Sequence, residues 1–489
     1  MPTQGGLYVE AVVGAPRYLN PLLAEPGSPD DDVDALVFSG LTRIGPDGKI
    51  APDLAAEWTV SPDGLRYAFK LRPSAKWHDG HPFAAADVVA TVQALQAPDF
   101  PGDPALAAMW KDVKVEPSAD GVTFTLPAAD SAFPEQASLG LLPASALGSM
   151  KGRALLESDF NQKPIGTGPF RVVTADLKHV ELSAYEGYWD RAPFIPNIEL
   201  RFVGTAAAAL DALAKGEVIA VRPLPAGDAT NLPSGAIAYV RPEASQTLTL
   251  AFNTRAAPLD DAATRAALAK AIDRKKLAEV GGVAVIPVDG PPGDANAAHD
   301  ALTAAGWRPT GDGTLQKGNQ PLRFTLATND RPDRAALAEE LVRELGAVGA
   351  RVEVQKTAWS GFVGDVLGPG KFGAALVETF EPDASPDPAR LWGRGAPLNV
   401  GGWNSAKGEE LLATARKATT PDARAAALRD WQAVFDAEAP GLRLLHPAIS
   451  YPVAAEMKGQ TLAPIVLPRD RFLTYPDWFL FTRRAPGRF

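Results

Sequence analysis

A chain of 489 residues is too long for one hydrophobic core, and the usual relation of length to domain size points to about three domains. The composition, 46% hydrophobic and 22% charged, is that of a globular protein, and 58 acidic against 48 basic residues (net charge −10) argues against a nucleic-acid partner. The absence of cysteine excludes disulfides and thiolate metal centres, and no apolar run is long enough to span a bilayer.

The start, MPTQGGLYVEA, lacks the basic and apolar run of an export signal, so it fits either a cytoplasmic start or a chain from which such a signal has been cut. From Gly6 the segment LYVEAVVGAPRYLNPLL begins as a strand and breaks at Pro16 and Pro21, and Asp30 to Asp34 reads as an acidic loop. Turn signals at Pro46-Asp47-Gly48 and Pro62-Asp63-Gly64 bound short strands, among them LRYAFKL with Tyr67, Phe69 and Leu71 on one face. A helix carrying Val88, Val89, Val92 and Leu95 follows, then a hairpin pairing Val113 and Val115 with Val122, Phe124 and Leu126. IGTGPFRVV, HVELSAY and NIELRFV supply three more strands before an Ala-rich helix at 206–215.

After Ser245 the pattern changes to strand alternating with helix, the mark of a βαβ domain. In TLAFNTRAAPLDDAATRAALAKAIDR, Leu248, Leu250 and Phe252 share one strand face, and Asp260 or Asp261 caps a helix striped by Ala267, Leu268, Ala271 and Ile272. Arg274, Lys275 and Lys276 are expected to end that helix, where cations suit its dipole. RFTLAT, a helix over 334–348 with Leu337, Leu341 and Leu345 in line, and RVEVQ make a right-handed crossover unit. Helices at 407–417 and 421–437 follow, the second capped by Thr420 and striped by Leu428, Trp431 and Phe435. From Pro447 helical periodicity is lost and the chain is expected to return to the first lobe.

No motif supports catalysis. In WHDGHPF a turn at Gly80 separates His78 from His81, against the four-residue helical spacing of a zinc pair, so Trp77 and Phe83 are read as packing residues. No GxSxG elbow occurs, and IGTGPF lacks the Lys-Ser or Lys-Thr of a phosphate loop. The acids Glu378, Glu381, Asp383 and Asp387 crowd VETFEPDASPDPARLW, and the aromatic residues Trp359, Phe380, Trp392 and Trp403 fall nearby. Apolar faces beside carboxylates suit a partly apolar ligand carrying an amine, although each tryptophan taken singly is as readily a core residue.

Together, LTRIGPDGKIAPDLAAEWTVSPDGLRYAFKLRPSAKWHDGHPFAAADVV, PIGTGPFRVV followed by YEGYWD, AFNTRAAPLDDAATRAALAKAIDR, the AGW at Ala305 to Trp307 and the PDP at Pro386 to Pro388 resemble one family. It is the peptide/nickel group of ABC-importer extracytoplasmic solute-binding proteins, the oligopeptide- and dipeptide-binding family 5, and the resemblance runs nearly end to end. It implies an α/β, two-lobed clamshell of the periplasmic-binding-protein type (type II-like, cluster C) with an additional small domain. The expected boundaries are 1–40, 163–245 and 446–489 for the lobe 1 core, 41–162 for the added α+β domain, and 246–445 for lobe 2.

The function so implied is capture of a peptide or related amine-bearing solute between the lobes and its delivery to an ABC permease and ATPase complex in the membrane. The resemblance implies no catalytic step, no cofactor and no metal, a monomeric chain, and an extracytoplasmic location, lipid-anchored in many relatives. Family peptide binders hold the ligand's amine with an Asp that follows an aromatic residue. Asp383, three after Phe380, takes that position, with Glu378 and Glu381 as competing acids and Phe380 where Trp is usual. Trp359, Trp392 and Asn20 complete the set of ligand-binding candidates with Arg394, Asn399 and Trp403, which are placed at the opposite pocket end. The alternatives are a non-peptide solute (oligosaccharide, opine-like compound or chelated nickel) on the same fold, more remotely a glycan or peptide hydrolase acting through the 378–387 acids, and a chaperone for exported chains.

Overall fold

The computed structural model describes residues 1–148, 152–381, 387–461 and 465–482, and at Val283 the backbone alone. The chain forms two compact units: one holds the described residues up to Arg241 and from Ile449 onward, the other the described residues from Pro242 to Ala448.

In the first unit LYVEAVV forms β1 (Leu7–Val13). Its alternation sends Tyr8 and Val12 into the main core, while Ala11, with Val9 and Val13, joins a smaller one on the other face. The acidic run expected to be a loop is instead the helix α1 (Pro29–Val37). Ser28 Oγ accepts the Asp31 N–H at 3.3 Å, Pro29 suits the first turn, and Asp30, Asp31 and Asp32 sit where carboxylates favour the dipole.

Asp30 accepts the backbone N–H groups of Arg17 and Tyr18, whereas what lets the helix bury Asp31 and Asp32 is cationic and distant in sequence. Arg471 donates to both oxygens of Glu10 and both of Asp32, and all three side chains are fully buried. Arg222 Nε reaches Asp32 Oδ2 at 2.5 Å, and Arg469 pairs with Asp31. Burial opposes the Arg471 charge, but Asp32 and Glu10 outweigh it and raise its pKa well up. Burial likewise opposes the Asp32 carboxylate, yet Arg222 and Arg471 hold its pKa down.

The strands β2 (Ala55–Val60) and β3 (Arg66–Leu71), the helix α2 (Ala85–Leu95), and the strands β4 (Lys114–Pro117) and β5 (Gly121–Thr125) come next. The four strands make an antiparallel sheet ordered β2-β3-β5-β4. Tyr67 and Phe69 are buried as the alternation requires, and Phe69 meets Phe124 edge to face at 5.6 Å. In WHDGHPF, Trp77 packs on Phe83 at 5.9 Å. The His78 ring accepts the Gly166 N–H at Nδ1 and therefore donates from Nε2 to the Gly168 carbonyl at 3.0 Å; burial pushes its pKa down to about 4.

The segment IGTGPF owes its glycines to room rather than to an unusual φ. A Cβ on Gly166 would lie 1.9 Å from the Val37 carbonyl oxygen and one on Gly168 2.6 Å from the Val37 carbonyl carbon. The strands β6 (Phe170–Ala175), β7 (His179–Ala184) and β8 (Asn197–Val203) then run antiparallel, followed by α3 (Ala206–Ala214) and the short β9 (Ala220–Val221). Within this unit the sheet order is β9-β1-β8-β7-β6, with β1 parallel to both neighbours and β6 on the edge.

The second unit opens with β10 (Gln246–Phe252), whose residues on both faces are buried, as an interior strand requires. Asp261 caps α4 (Ala262–Ala271), its Oδ1 accepting the Ala263 N–H at 3.1 Å, and Ala267, Leu268 and Ala271 form the buried stripe. Arg274, Lys275 and Lys276 do not end this helix. Asp273 accepts the N–H groups of Lys275 and Lys276 and starts α5 (Arg274–Gly281), so a second cap overrides the dipole preference.

The crossover unit consists of β11 (Arg323–Asn329), α6 (Pro332–Ala347) and β12 (Arg351–Thr357), with Leu337, Leu341 and Leu345 buried. Then come β13 (Ala374–Phe380), α7 (Ala389–Trp392), α8 (Ala406–Lys417), α9 (Pro421–Glu438) and β14 (Gly441–Ala454). The sheet order is β12-β11-β13-β10-β14; β11 is parallel to β12 and β13, and β10 is antiparallel to β13 and β14.

Candidate functional site

The three parallel strands of the second unit end together. Register matches Asn329 of β11 with Thr357 of β12, and Ala327 with Ala375 of β13, so the stretch after Val377 emerges at the same end as Trp359. In open sheets this carboxyl end is where ligands meet the fold, because side chains leaving several strands converge there without a covering layer.

Two large aromatic side chains stand exposed at this end, Trp359 at 61% and Phe380 at 51%. Trp359 follows β12 and rests against buried Phe362 at a ring separation of 6.2 Å. Phe380 closes β13, on the face that Leu376 turns into the core beside α6. Glu378 lies between them on that face, and its Oε2 accepts a hydrogen bond from Arg334 Nη2 at 2.7 Å. The Arg334 side chain is only 7% exposed against 30% for Glu378, so the guanidinium is the fixed member and orients the carboxylate. Arg334 was not among the residues singled out from the sequence. Its signal is a charged residue one turn ahead of Leu337 on the buried stripe of α6.

The other predicted residues are distributed differently. Trp392 and Trp403 are interior, packed with Trp431 and Phe435 in a separate small core: Trp392 meets Phe435 at 4.7 Å, and Trp403 meets Trp431 at 6.1 Å. Trp403 Nε1 donates to Glu438 Oε2 at 2.7 Å. Asn399 is buried and closes its own loop, donating to the carbonyls of Gly393 and Trp403 and accepting the Trp403 N–H at 2.9 Å. Arg394 is exposed, with Nε on Asn404 Oδ1 at 2.8 Å.

Glu381 follows Phe380, and its N–H donates to the Ser245 carbonyl at 2.7 Å, extending the β10–β13 ladder by one residue. Asn20, in the first unit, is fully buried and bonds Asn161 Oδ1 at 2.9 Å. Asp383 lies outside the described residues. Asp387 holds Arg416 at 2.7 Å. Among the described residues no group of three histidine or acidic side chains is placed to hold a metal, and no helix is long and apolar enough to cross a membrane.

The fold defines the class: this is a periplasmic-binding-protein fold. The structure of the periplasmic murein tripeptide-binding protein MppA matches it with a TM-score of 0.83 over 98% of each chain, at 21% identity. The chain belongs to the bacterial extracellular solute-binding proteins, family 5, whose model of the middle region matches residues 49–396. It is 29% identical to the oligopeptide-binding protein AppA of Bacillus subtilis, over 79% of this chain and 75% of that one. It is 26% identical to di/tripeptide-binding protein 2 of Pseudomonas aeruginosa, over 92% and 91% respectively.

Proposed function

We propose that the protein is the substrate-binding component of an ABC import system, which takes up a peptide or related amine-bearing solute outside the cytoplasm and passes it to a membrane permease. One observation carries this reading: exposed Trp359 and Phe380 frame the carboxyl ends of the parallel strands, beside a Glu378 carboxylate held by buried Arg334. Rings of this size present apolar faces to side chains or ligand backbone, and a carboxylate beside them favours a cation. The names of the relatives, an oligopeptide binder and a di/tripeptide binder, support the same solute class. Asp383 is assigned the amine-anchoring role from its place after Phe380, and Arg394, exposed on its loop, is the candidate for a ligand carboxylate.

On this reading the protein acts as a monomer without a catalytic step, and residues 41–162 form an added domain of the first lobe. Uptake requires release, so affinity near the micromolar range, roughly 8 kcal/mol, suits the task. Native mass spectrometry of freshly purified protein, followed by calorimetry with di- to nonapeptides bearing free or acetylated amino termini, tests the proposal. Binding of free-amine peptides with loss on acetylation is expected; heat from none of the free-amine peptides would overturn it.

A further inference from the structure

Among the described residues the sheet of the first unit ends at β6, whose only strand neighbour there is β7. In an antiparallel pair every second residue of an edge strand turns its N–H and C=O away from that neighbour, which leaves a row of backbone groups open to another strand. Along this edge runs a cavity of about 440 Å³, within the range of sites that take a ligand. Its wall includes the consecutive residues Arg171 to Ala175 of β6, with His78, Asp79, Lys163 and Ile165 facing them.

The walls also carry a charge preference. Among the described residues Lys163 and Arg171 are exposed and form no ion pair, and Arg171 Nε bonds only the hydroxyl of Ser183, at 3.3 Å. The single acid on the groove, Asp79, already accepts from the His81 backbone and faces its ring at 3.1 Å. The His78 ring is committed at both nitrogens to Gly166 and Gly168, so it is a neutral wall. Val173, 57% exposed, offers an apolar contact. A register shift opposite Glu181 and Leu182 gives Val173 no partner on β7, a bulge that breaks the regular edge and limits what can add to it to a short segment.

We propose that this edge is a docking site for a short extended segment of a partner protein that carries Asp or Glu side chains and adds to β6 as a further strand. Backbone hydrogen bonds along Arg171 to Ala175 would give the affinity, over about 16 Å of strand, and Lys163 with Arg171 would select the acidic side chains. The proposal rests on the first unit alone and does not depend on the solute-binding assignment.

The test uses the full chain and short peptides of alternating valine with glutamate or valine with lysine, acetylated and amidated at their ends so that they lack the free amine expected of a transported solute. Hydrogen–deuterium exchange is read at 171–175. The glutamate peptide is expected to slow exchange there at least tenfold, the lysine peptide to leave it unchanged, and a glutamate peptide N-methylated at alternate residues to lose the effect. The surface variant Lys163→Glu/Arg171→Glu should reverse the preference between the two peptides. Unchanged exchange with every peptide, equal protection by the N-methylated peptide, or protection accompanied by self-association of the chain would overturn the proposal.

Discussion

Arg471 and Glu10 are 461 residues apart in sequence, yet their side chains meet with no solvent exposure, Nη2 lying 2.5 Å from Oε2. Removing the cation alone leaves two buried carboxylates, Glu10 and Asp32, with only Arg222 still beside Asp32. Breaking one partner of such a group costs about 3–5 kcal/mol. Arg471→Met should lower the unfolding free energy by that amount, measured by urea denaturation with a probe in the first unit. A loss below about 1 kcal/mol would show that the cluster is dispensable.

A pH dependence follows from Asp53. Burial raises its pKa from 3.8 to about 7, against the pull of Arg43, the Ser39 hydrogen bond and Arg72, with Asp190 adding to the rise. Its Oδ1 has no partner among the described residues, and Arg72 and Arg43 are held instead over the Trp189 ring at 3.9 and 5.3 Å. The folded state therefore keeps a proton that the unfolded chain releases. This contribution to stability is fully present below about pH 4 and is lost as pH rises through about 7. Asp53→Asn should remove that slope between pH 4 and 7 in thermal melts; an unaltered slope would place its origin elsewhere.

The tryptophans separate by role. Trp403 is 4% exposed and packs edge to face on Trp431 and Phe435, so Trp403→Ala should cost about 3–5 kcal/mol. Trp359, 61% exposed, should change stability by less than about 0.5 kcal/mol when replaced by alanine. Calorimetry on the same Trp359→Ala protein should show weakened binding of a free-amine peptide that the unaltered protein binds.

Glu378 gives a sharper test of the charge preference. Its side chain is 30% exposed and anchored by Arg334, so Glu378→Gln keeps the shape and removes the charge. Affinity for a free-amine peptide should fall about tenfold, or about 1.4 kcal/mol, while an acetylated peptide is unaffected. Equal losses for both peptides would mean that the carboxylate acts on packing rather than on the amine.

The sequence is a good guide at most places where local chemistry decides the outcome, the Asp273 cap that starts α5 being the exception. Asp261 and Thr420 cap the helices expected of them, each accepting a backbone N–H, and Leu337, Leu341 and Leu345 line up because helical period and apolar spacing agree. It misled where distant partners decided. Asp30 to Asp34 reads as an acidic loop because Arg469 and Arg471, which pair with Asp31 and Asp32 in the buried helix, come more than four hundred residues later. The site was legible in part for the same reason. Periodicity cannot tell exposed Trp359 from interior Trp403, since the difference lies in what Trp431 and Phe435 bring from another helix. Arg334 was missed because its value depends on Glu378, 44 residues on.

The dependence of α1 on Arg469 and Arg471 also sets an order of events during synthesis. Chains emerge from their amino ends, so Glu10 and the acids of α1 exist long before the arginines that neutralise them. Until they have been made, Arg222 is the one cation placed beside these acids among the described residues, the remaining like charges resist burial, and a chain halted before Pro468 is expected to remain open to protease at α1. The segment that carries Arg469 and Arg471 thus acts as a latch, closing α1 only once those two residues have been made.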